Sequence, residues 1–414
     1  MPRCCLVSCT LLWAWMLTFC LPVSAQPSAP RVFLLDGKYL QSTRERIRQG
    51  DKSLAPALEA LQHDAQAALK SGPFSVVDKN ITPPSGDKHD FMSQAPYFWP
   101  DPQSPNGLPY IRRDGQRNPE IRNIPDDCIM SKMRDDVETL ALAYYFTGDE
   151  KYAVKAAELL RTWFLDPATR MNPNLQFAQA VPGVNTGRGT GIIESTGLTS
   201  VVDSIGLLAG SKAWTESDQL GMEEWYAKYL KWMQESQPGR AEGAAINNHG
   251  TFYDMQVASF ALFVGKKDLA ASVLREAETK RIARQIEPDG RQPLELARTN
   301  SWSYSITNLR GLMSLAKLAE NVDVDLWNYQ TADGRSIHKA LDYLLPFAFG
   351  EQKWPHQQIG RWSPRGAFGL LRRAALKYPD ERYRSLVSKL PEWDVPNWDN
   401  LFHPKPVEQN QEQK

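Results

Sequence analysis

Apolar side chains recur along this chain at spacings of three and four residues. Leu54, Leu58, Leu61, Ala65 and Ala68 mark one such face, and Val137, Leu140, Ala141, Tyr144 and Tyr145 mark a second. That spacing puts the marked residues on one side of an α-helix. Thr147-Gly148-Asp149 then interrupts the pattern, and Ala153, Ala156, Ala157, Leu160 and Phe164 resume it. A helical hairpin with a short polar turn is predicted there. Further helices are predicted near 191–209, 215–236, 248–264, 267–286, 301–319, 335–347, 363–376 and 380–390. No stretch sustains the period-two alternation of a half-buried strand. The chain therefore reads as all-α, with roughly a dozen helices in antiparallel pairs. Hairpins in a single chain of this size point to an (α/α) toroid, an incomplete barrel of about six or seven hairpins with long loops over a central groove. Periodicity alone fits a solenoid as well.

Polar, Pro- and Gly-rich stretches separate these helices. One runs from Gly72 to Pro125 and carries Tyr97, Phe98, Trp99 and Tyr110. Its aromatics argue against disorder, and a loop of that length in a compact domain points to function. Others cover Asp166 to Gly191, Pro288 to Asn300 and Gly350 to Pro364.

Composition narrows the class. Hydrophobic residues make up 42%, with 48 basic and 48 acidic side chains. Nothing in that balance points to nucleic acid as the partner, while a local basic groove for an acidic polymer remains open. Arg3, the apolar run Leu6 to Leu21 and Val23-Ser24-Ala25 form an export signal with a small-residue cleavage pattern. The expected layout is a signal at 1–25, one domain at 26–403 and a polar tail at 404–414, with the protein exported to the periplasm or medium. Phe19 is too large for lipid attachment at Cys20. No later stretch suits a membrane span. Cys128 is the one cysteine after the signal, so no internal disulfide is expected. It reads as a small buried residue.

Candidate chemistry gathers between Arg240 and Arg310. Glu242 precedes Asn247-Asn248-His249, which opens an apolar-periodic run, and Arg298 precedes Tyr304 at the start of another. Asn247 or Asn248 is a natural cap for the first helix, and Asn300 or Ser301 for the second. Polar clusters at the ends of buried helices are where site residues are displayed. An Asn, His, Arg, Tyr and Glu set suits β-elimination from a uronate. The C5 proton becomes acidic once the adjacent carboxylate is neutralised, by Arg in paired hydrogen bonds, by Asn, or by a protonated Glu. A base then takes that proton and an acid protonates the departing O4. Tyr304 and His249 can divide these jobs if cations nearby, Arg298 and His249 among them, ease the phenol's ionisation. No metal is needed, and neither a metal nor another cofactor is expected.

The Asn248-His249 pair, with Arg298 about fifty residues on and then Tyr304, resembles the alginate lyase domain superfamily. The loop from His89 to Trp99, the run Val181-Pro-Gly-Val-Asn185-Thr-Gly-Arg188-Gly, and Glu242 are similar to polysaccharide lyase family 38. The resemblance implies an (α/α) toroid that cleaves β-1,4-linked uronans, alginate above all, with glucuronan or another polyuronate as the alternative. It implies Tyr304 as acid/base and His249 as second base for the epimer whose C5 proton faces the other way. Arg298, Asn248 and Glu242 would hold the carboxylate.

Candidate substrate contacts are His89, Asp90, Ser93, Gln94, Tyr97, Trp99, Asn185, Arg188, Tyr253, His356 and Arg361. Each has a bland counterpart: aromatics that anchor their own loop, or turn-formers. Glu194 and Asp203 read as capping or packing partners. Two rivals stay open. A glycoside hydrolase would draw on Glu242, Asp254 and Glu295, because it needs two carboxylates across the bond. A non-catalytic carbohydrate-binding protein would be indifferent to Tyr304→Phe.

Overall fold

The computed structural model describes residues 29–391 and 397–402; the expected signal and tail lie outside the described residues. Its helices are α1 (Gly37–Arg48), α2 (Ala55–Ala68), α3 (Asp126–Thr147), α4 (Glu150–Leu160), α5 (Leu198–Leu208) and α6 (Glu216–Glu235). Next come α7 (Gln237–Gly243), α8 (Asn248–Phe263), α9 (Lys267–Ala277) and α10 (Ala283–Gln285). The series ends with α11 (Pro293–Leu296), α12 (Ser301–Ala319), α13 (Ile337–Ala348), α14 (Arg365–Lys377) and α15 (Glu381–Ser388).

Local chemistry sets many of these boundaries. Gly148 at φ 75° ends α3 in the left-handed conformation, and the Asp149 side chain then accepts from the Lys151 amide to start α4. Thr215 and Asp218 form a reciprocal capping box at α6. Ser236 ends α6 and caps α7, where Pro238 fits the first turn.

Helices α3, α5, α8, α12 and α14 pack neighbour to neighbour in that order. Segment 398–401 touches α2 and, through Arg372 to Asn400, α14, so the two ends of the series meet. The architecture is an (α/α) toroid, which decides the question that periodicity left open. Helix α8 lies deepest, with Phe252, Met255, Val257, Phe260 and Phe263 all buried.

Helix α9 runs back along α8 and leads into α10, whose Gln285 donates to the Asn247 carbonyl at the start of α8 at 3.3 Å. Helix α12 sets out from the same end, because Asn308 donates to Gln285 and Gln292 at 2.8 Å each. Helices α8 and α12 thus begin side by side on one rim. At their far ends the segment 31–36 crosses over as a strap. Phe33, Leu34 and Leu35 donate their amides to the buried Asp203 carboxylate of α5 at 2.7, 2.9 and 2.7 Å. Arg31 caps the last carbonyls of α8, and Asp36 pairs with Lys317 of α12.

The long loop is anchored rather than free. Lys79, buried, reaches Asp126 at 2.9 Å and two backbone carbonyls, while the Met92 amide donates to the same carboxylate. Four short strands, which the alternation did not predict, organise it: β1 (Met92–Gln94) runs parallel to β4 (Phe177–Ala180), and β2 (Phe98–Trp99) antiparallel to β3 (Ile111–Arg112). Strands this short hold no run long enough to show a period. Cys128 is a correction. It is exposed, because the buried face of α3 runs through Asp126, Met130, Met133 and Val137, and residue 128 falls on the other side.

Candidate active site

The rim where α8 and α12 begin holds two linked clusters. The first is built on α7 and α8. His249 places Nδ1 2.7 Å from Glu242 Oε1, and that Glu side chain is almost fully buried. With Nδ1 donating to the carboxylate, Nε2 is left as the acceptor nitrogen of the ring. Glu242 Oε2 is buried and has no hydrogen-bond partner among the described residues.

The caps differ from expectation. Asn247 occupies the cap position of α8 but makes no side-chain cap bond. The Glu295 carboxylate takes that role, accepting from the Asn248 amide at 2.8 Å and from Asn248 Nδ2 at 2.7 Å. A carboxylate suits the positive end of a helix. Arg281 braces the bend before α8, donating to the Gly243 and Ala245 carbonyls and to Asp254. A side chain at Gly250 would run into the Ala245 carbonyl and that guanidinium, so only glycine fits there.

The second cluster sits at the start of α12. Asn300 is its cap residue, yet the Asn300 side chain accepts from the Gly360 amide at 2.6 Å instead of capping. Tyr304, in the first turn, donates to the Tyr97 hydroxyl at 2.8 Å. The Arg298 guanidinium lies 3.7 Å from the centre of the Tyr304 ring. Its Nε and Nη2 are held by Asp114 at 3.1 and 2.7 Å. Asp114 also accepts from the Thr299 amide at 3.2 Å and from the Thr299 hydroxyl at 3.0 Å.

Electrostatics ties the clusters together. Burial raises the Glu295 carboxyl, while the Asn248 bonds and the charges of Arg298 and His249 pull the other way. Glu295 is therefore within electrostatic reach of both clusters. Burial would raise the Asp114 carboxyl too, but Arg298 and Thr299 outweigh it and hold it far below the usual carboxylate range. Burial and the bond to Tyr97 push the Tyr304 phenol well above its ordinary value, and the pull of Arg298 does not offset them. The expected easing by Arg298 is present but outweighed, because the phenol is desolvated and Asp114 offsets the charge of Arg298.

Several expected substrate contacts are committed elsewhere. Asp90, buried, accepts from Ser85, Asn172 and Asn174, and Ser93 bridges Glu194 and the Gln179 amide. Both brace the loop, because its turns need internal acceptors. His89 Nδ1 lies 2.6 Å from the Arg170 carbonyl, and Gln94 ends β1, half-buried. Asn185 closes its own turn on the Val181 amide. Tyr253 donates to the Met233 carbonyl, and His356 meets the Tyr343 hydroxyl. Trp99 donates to the Gln116 carbonyl beneath Arg113. Arg188 bonds Gln179 and covers the Phe98 ring, and Arg361 is exposed. Glu194 and Asp203 are packing partners, as expected.

Asp114 and Arg281 carried no signal in the sequence. Their partners lie far along the chain, and a lone Asp-Gly reads only as a turn. Glu295 reads from the sequence as a hydrolase carboxylate, and nothing there signals its bond to Asn248. Among the described residues no three His, Cys, Asp or Glu side chains are grouped as a metal site would require.

Comparison with known proteins follows the geometry. The family described as alginate lyase matches residues 75–354. The crystal structure of an alginate lyase from Bacteroides ovatus is 41% identical, with a TM-score of 0.86, covering 90% of this chain and 99% of that one. Alginate lyase A1-III from Sphingomonas species A1 shares the fold at 16% identity and a TM-score of 0.55, covering 90% of this chain and 95% of that one. A variant of alginate lyase A1-III complexed with tetrasaccharide gives 16% and 0.59, covering 92% and 98%. None of the curated proteins compared with the chain matches it.

Proposed function

The chain belongs to the alginate lyase family, and on that premise we propose how its residues divide the elimination between them. The protein is a polysaccharide lyase acting on an acidic polysaccharide, and alginate is the uronan its relatives point to. The observation that carries the assignment is Glu295, whose carboxylate fixes Asn248 beside His249 and whose carbonyl accepts from the backbone amide of Arg298, beneath Tyr304.

The uronate carboxylate meets the free Nη1 end of Arg298 and the second Nδ2 hydrogen of Asn248, whose backbone amide and first Nδ2 hydrogen are held by Glu295. Their directed N–H groups stabilise the charge that develops when C5 loses its proton. His249, oriented by Glu242, offers Nε2 to the C5 proton of one epimer. For the epimer whose proton faces Tyr304, the phenol first gives its resting proton to solvent, and the phenolate then takes the C5 proton and passes it on to O4. The C5–H electrons form the C4–C5 double bond, the C4–O4 bond breaks, and O4 takes a proton. Where His249 is the base, Tyr304, which holds its proton at rest, is suited to give it. The hydrolase alternative finds no support: Glu242 is bonded to His249, Asp254 to Arg281 and Glu295 to Asn248, all buried.

A panel of polymannuronate, polyguluronate, glucuronan and hyaluronan tests this, read by ultraviolet absorbance of the 4,5-unsaturated end. At least one should give absorbance that rises with each cut. Reducing ends without absorbance would overturn the reading.

A further inference from the structure

We propose that Asp114 is a positioning residue for Arg298, holding the guanidinium over the Tyr304 ring so that only its Nη1 end meets the substrate carboxylate. This rests on the lyase reading above. A free Arg greets a carboxylate side-on, through Nε and one Nη together. Here that edge is taken, with Asp114 oxygens at 3.1 and 2.7 Å. Among the described residues Nη1 has no hydrogen-bond partner. The Tyr304 ring, its centre 3.7 Å from the guanidinium carbon, backs one side of the group, and Asp114 holds the Nε–Nη2 edge, which leaves Nη1 at the other end.

A different role would be a placeholder, an internal carboxylate that the uronate displaces. The surroundings oppose it. The Thr299 amide and the Arg112 guanidinium hold the same carboxylate, and the Thr299 hydroxyl shares its one hydrogen between that carboxylate and the Asp114 carbonyl, at 3.0 Å each. Gly115 follows at φ 73°, and a Cβ there would collide with Thr299 and Asn300. The turn is pressed onto residues 299–300, so the carboxylate cannot leave without unseating the loop.

The pairing has an electrostatic consequence. Asp114 pairs with Arg112 as well, at 2.7 Å, so the two guanidiniums and the carboxylate keep one net positive charge, and Asp114 sets where Nη1 points without removing the attraction for an anion. Direction matters most as charge develops in the transition state. Losing Asp114 should therefore cost turnover and spare affinity.

The test is Asp114→Asn, assayed on polymannuronate, with affinity for its oligomers measured in a Tyr304→Phe background that binds without turning over. The expected result is kcat lower by about tenfold or more with Kd changed less than about threefold. A tenfold loss of affinity would make Asp114 a mere loop anchor and overturn the proposal. Faster turnover with tighter binding would make it a placeholder, and unchanged kinetics would give it no role. Should Asp114→Asn not fold, Arg298→Lys keeps the loop's bonds to Thr299 while removing the planar group. Near-normal turnover in that variant would also overturn the proposal. If the unaltered protein forms no unsaturated product on any uronan, it is the lyase reading that fails, and the Kd comparison still reports on Asp114.

Discussion

The two clusters on the rim are built by opposite means. His249 takes its orientation from Glu242, seven residues earlier on the adjoining helix. Tyr304 and Arg298 take theirs from Tyr97 and Asp114, 207 and 184 residues away on the long loop. The imidazole half is part of the helical frame. The phenol half is complete only when the loop is seated. Two proton-transfer groups therefore share one substrate while differing in what holds them, and substitutions should separate them.

The largest separation comes from Tyr304→Phe against His249→Ala. Loss of the phenol should lower kcat on every uronan by about two to four orders of magnitude, the usual worth of a general acid or base. Loss of the imidazole should do so on one epimer only. The ratio of rates on polymannuronate and polyguluronate checks this, and equal losses on both would break the division of labour. Glu242→Gln should cost less, about tenfold in kcat on that same epimer. Its amide oxygen can still accept from Nδ1, but without charge to favour the imidazolium.

The smallest effect lies away from both halves. Arg161 grips Asp218 through Nε and Nη2 at 2.8 and 2.6 Å, and these bonds lower the Asp218 carboxyl to about 2 despite partial burial. A lowered carboxyl stabilises the fold above its unfolded value of 3.8 and loses that contribution as pH falls toward 2. Since the Arg161 side chain is 41% exposed, screening leaves about 1 kcal/mol. Asp218→Asn should shift the acid unfolding midpoint slightly, with turnover at neutral pH unchanged. A change in turnover would mean that the rim is not insulated from the outer helices.

The same contrast explains what could be read from the sequence. Helices such as α8 and α12 were legible because their buried faces recur every three to four residues. Helix α7 was not, being seven residues with Pro238, Gly239 and Gly243 among them. Glu242 and His249 could be singled out because local order brings them together. The pairing of Arg298 with Asp114 could not, since only the folded loop brings residue 114 to residue 298. Asp90 and Ser93 looked open to substrate because loop residues are polar whether they face water or each other.

The strap across the far ends of α5, α8 and α12 bears on how this protein tolerates trimming. Proteolysis or truncation past Leu35 would strand the Asp203 carboxylate inside the protein with its three amide donors gone. A buried charge without partners destabilises by several kcal/mol, about 3–5 in typical cases. The damage would start roughly 24 Å from the chemistry, the length of α8, on the helices that carry it. A purification tag therefore belongs ahead of the strap at 31–36, where it can leave those amides in place.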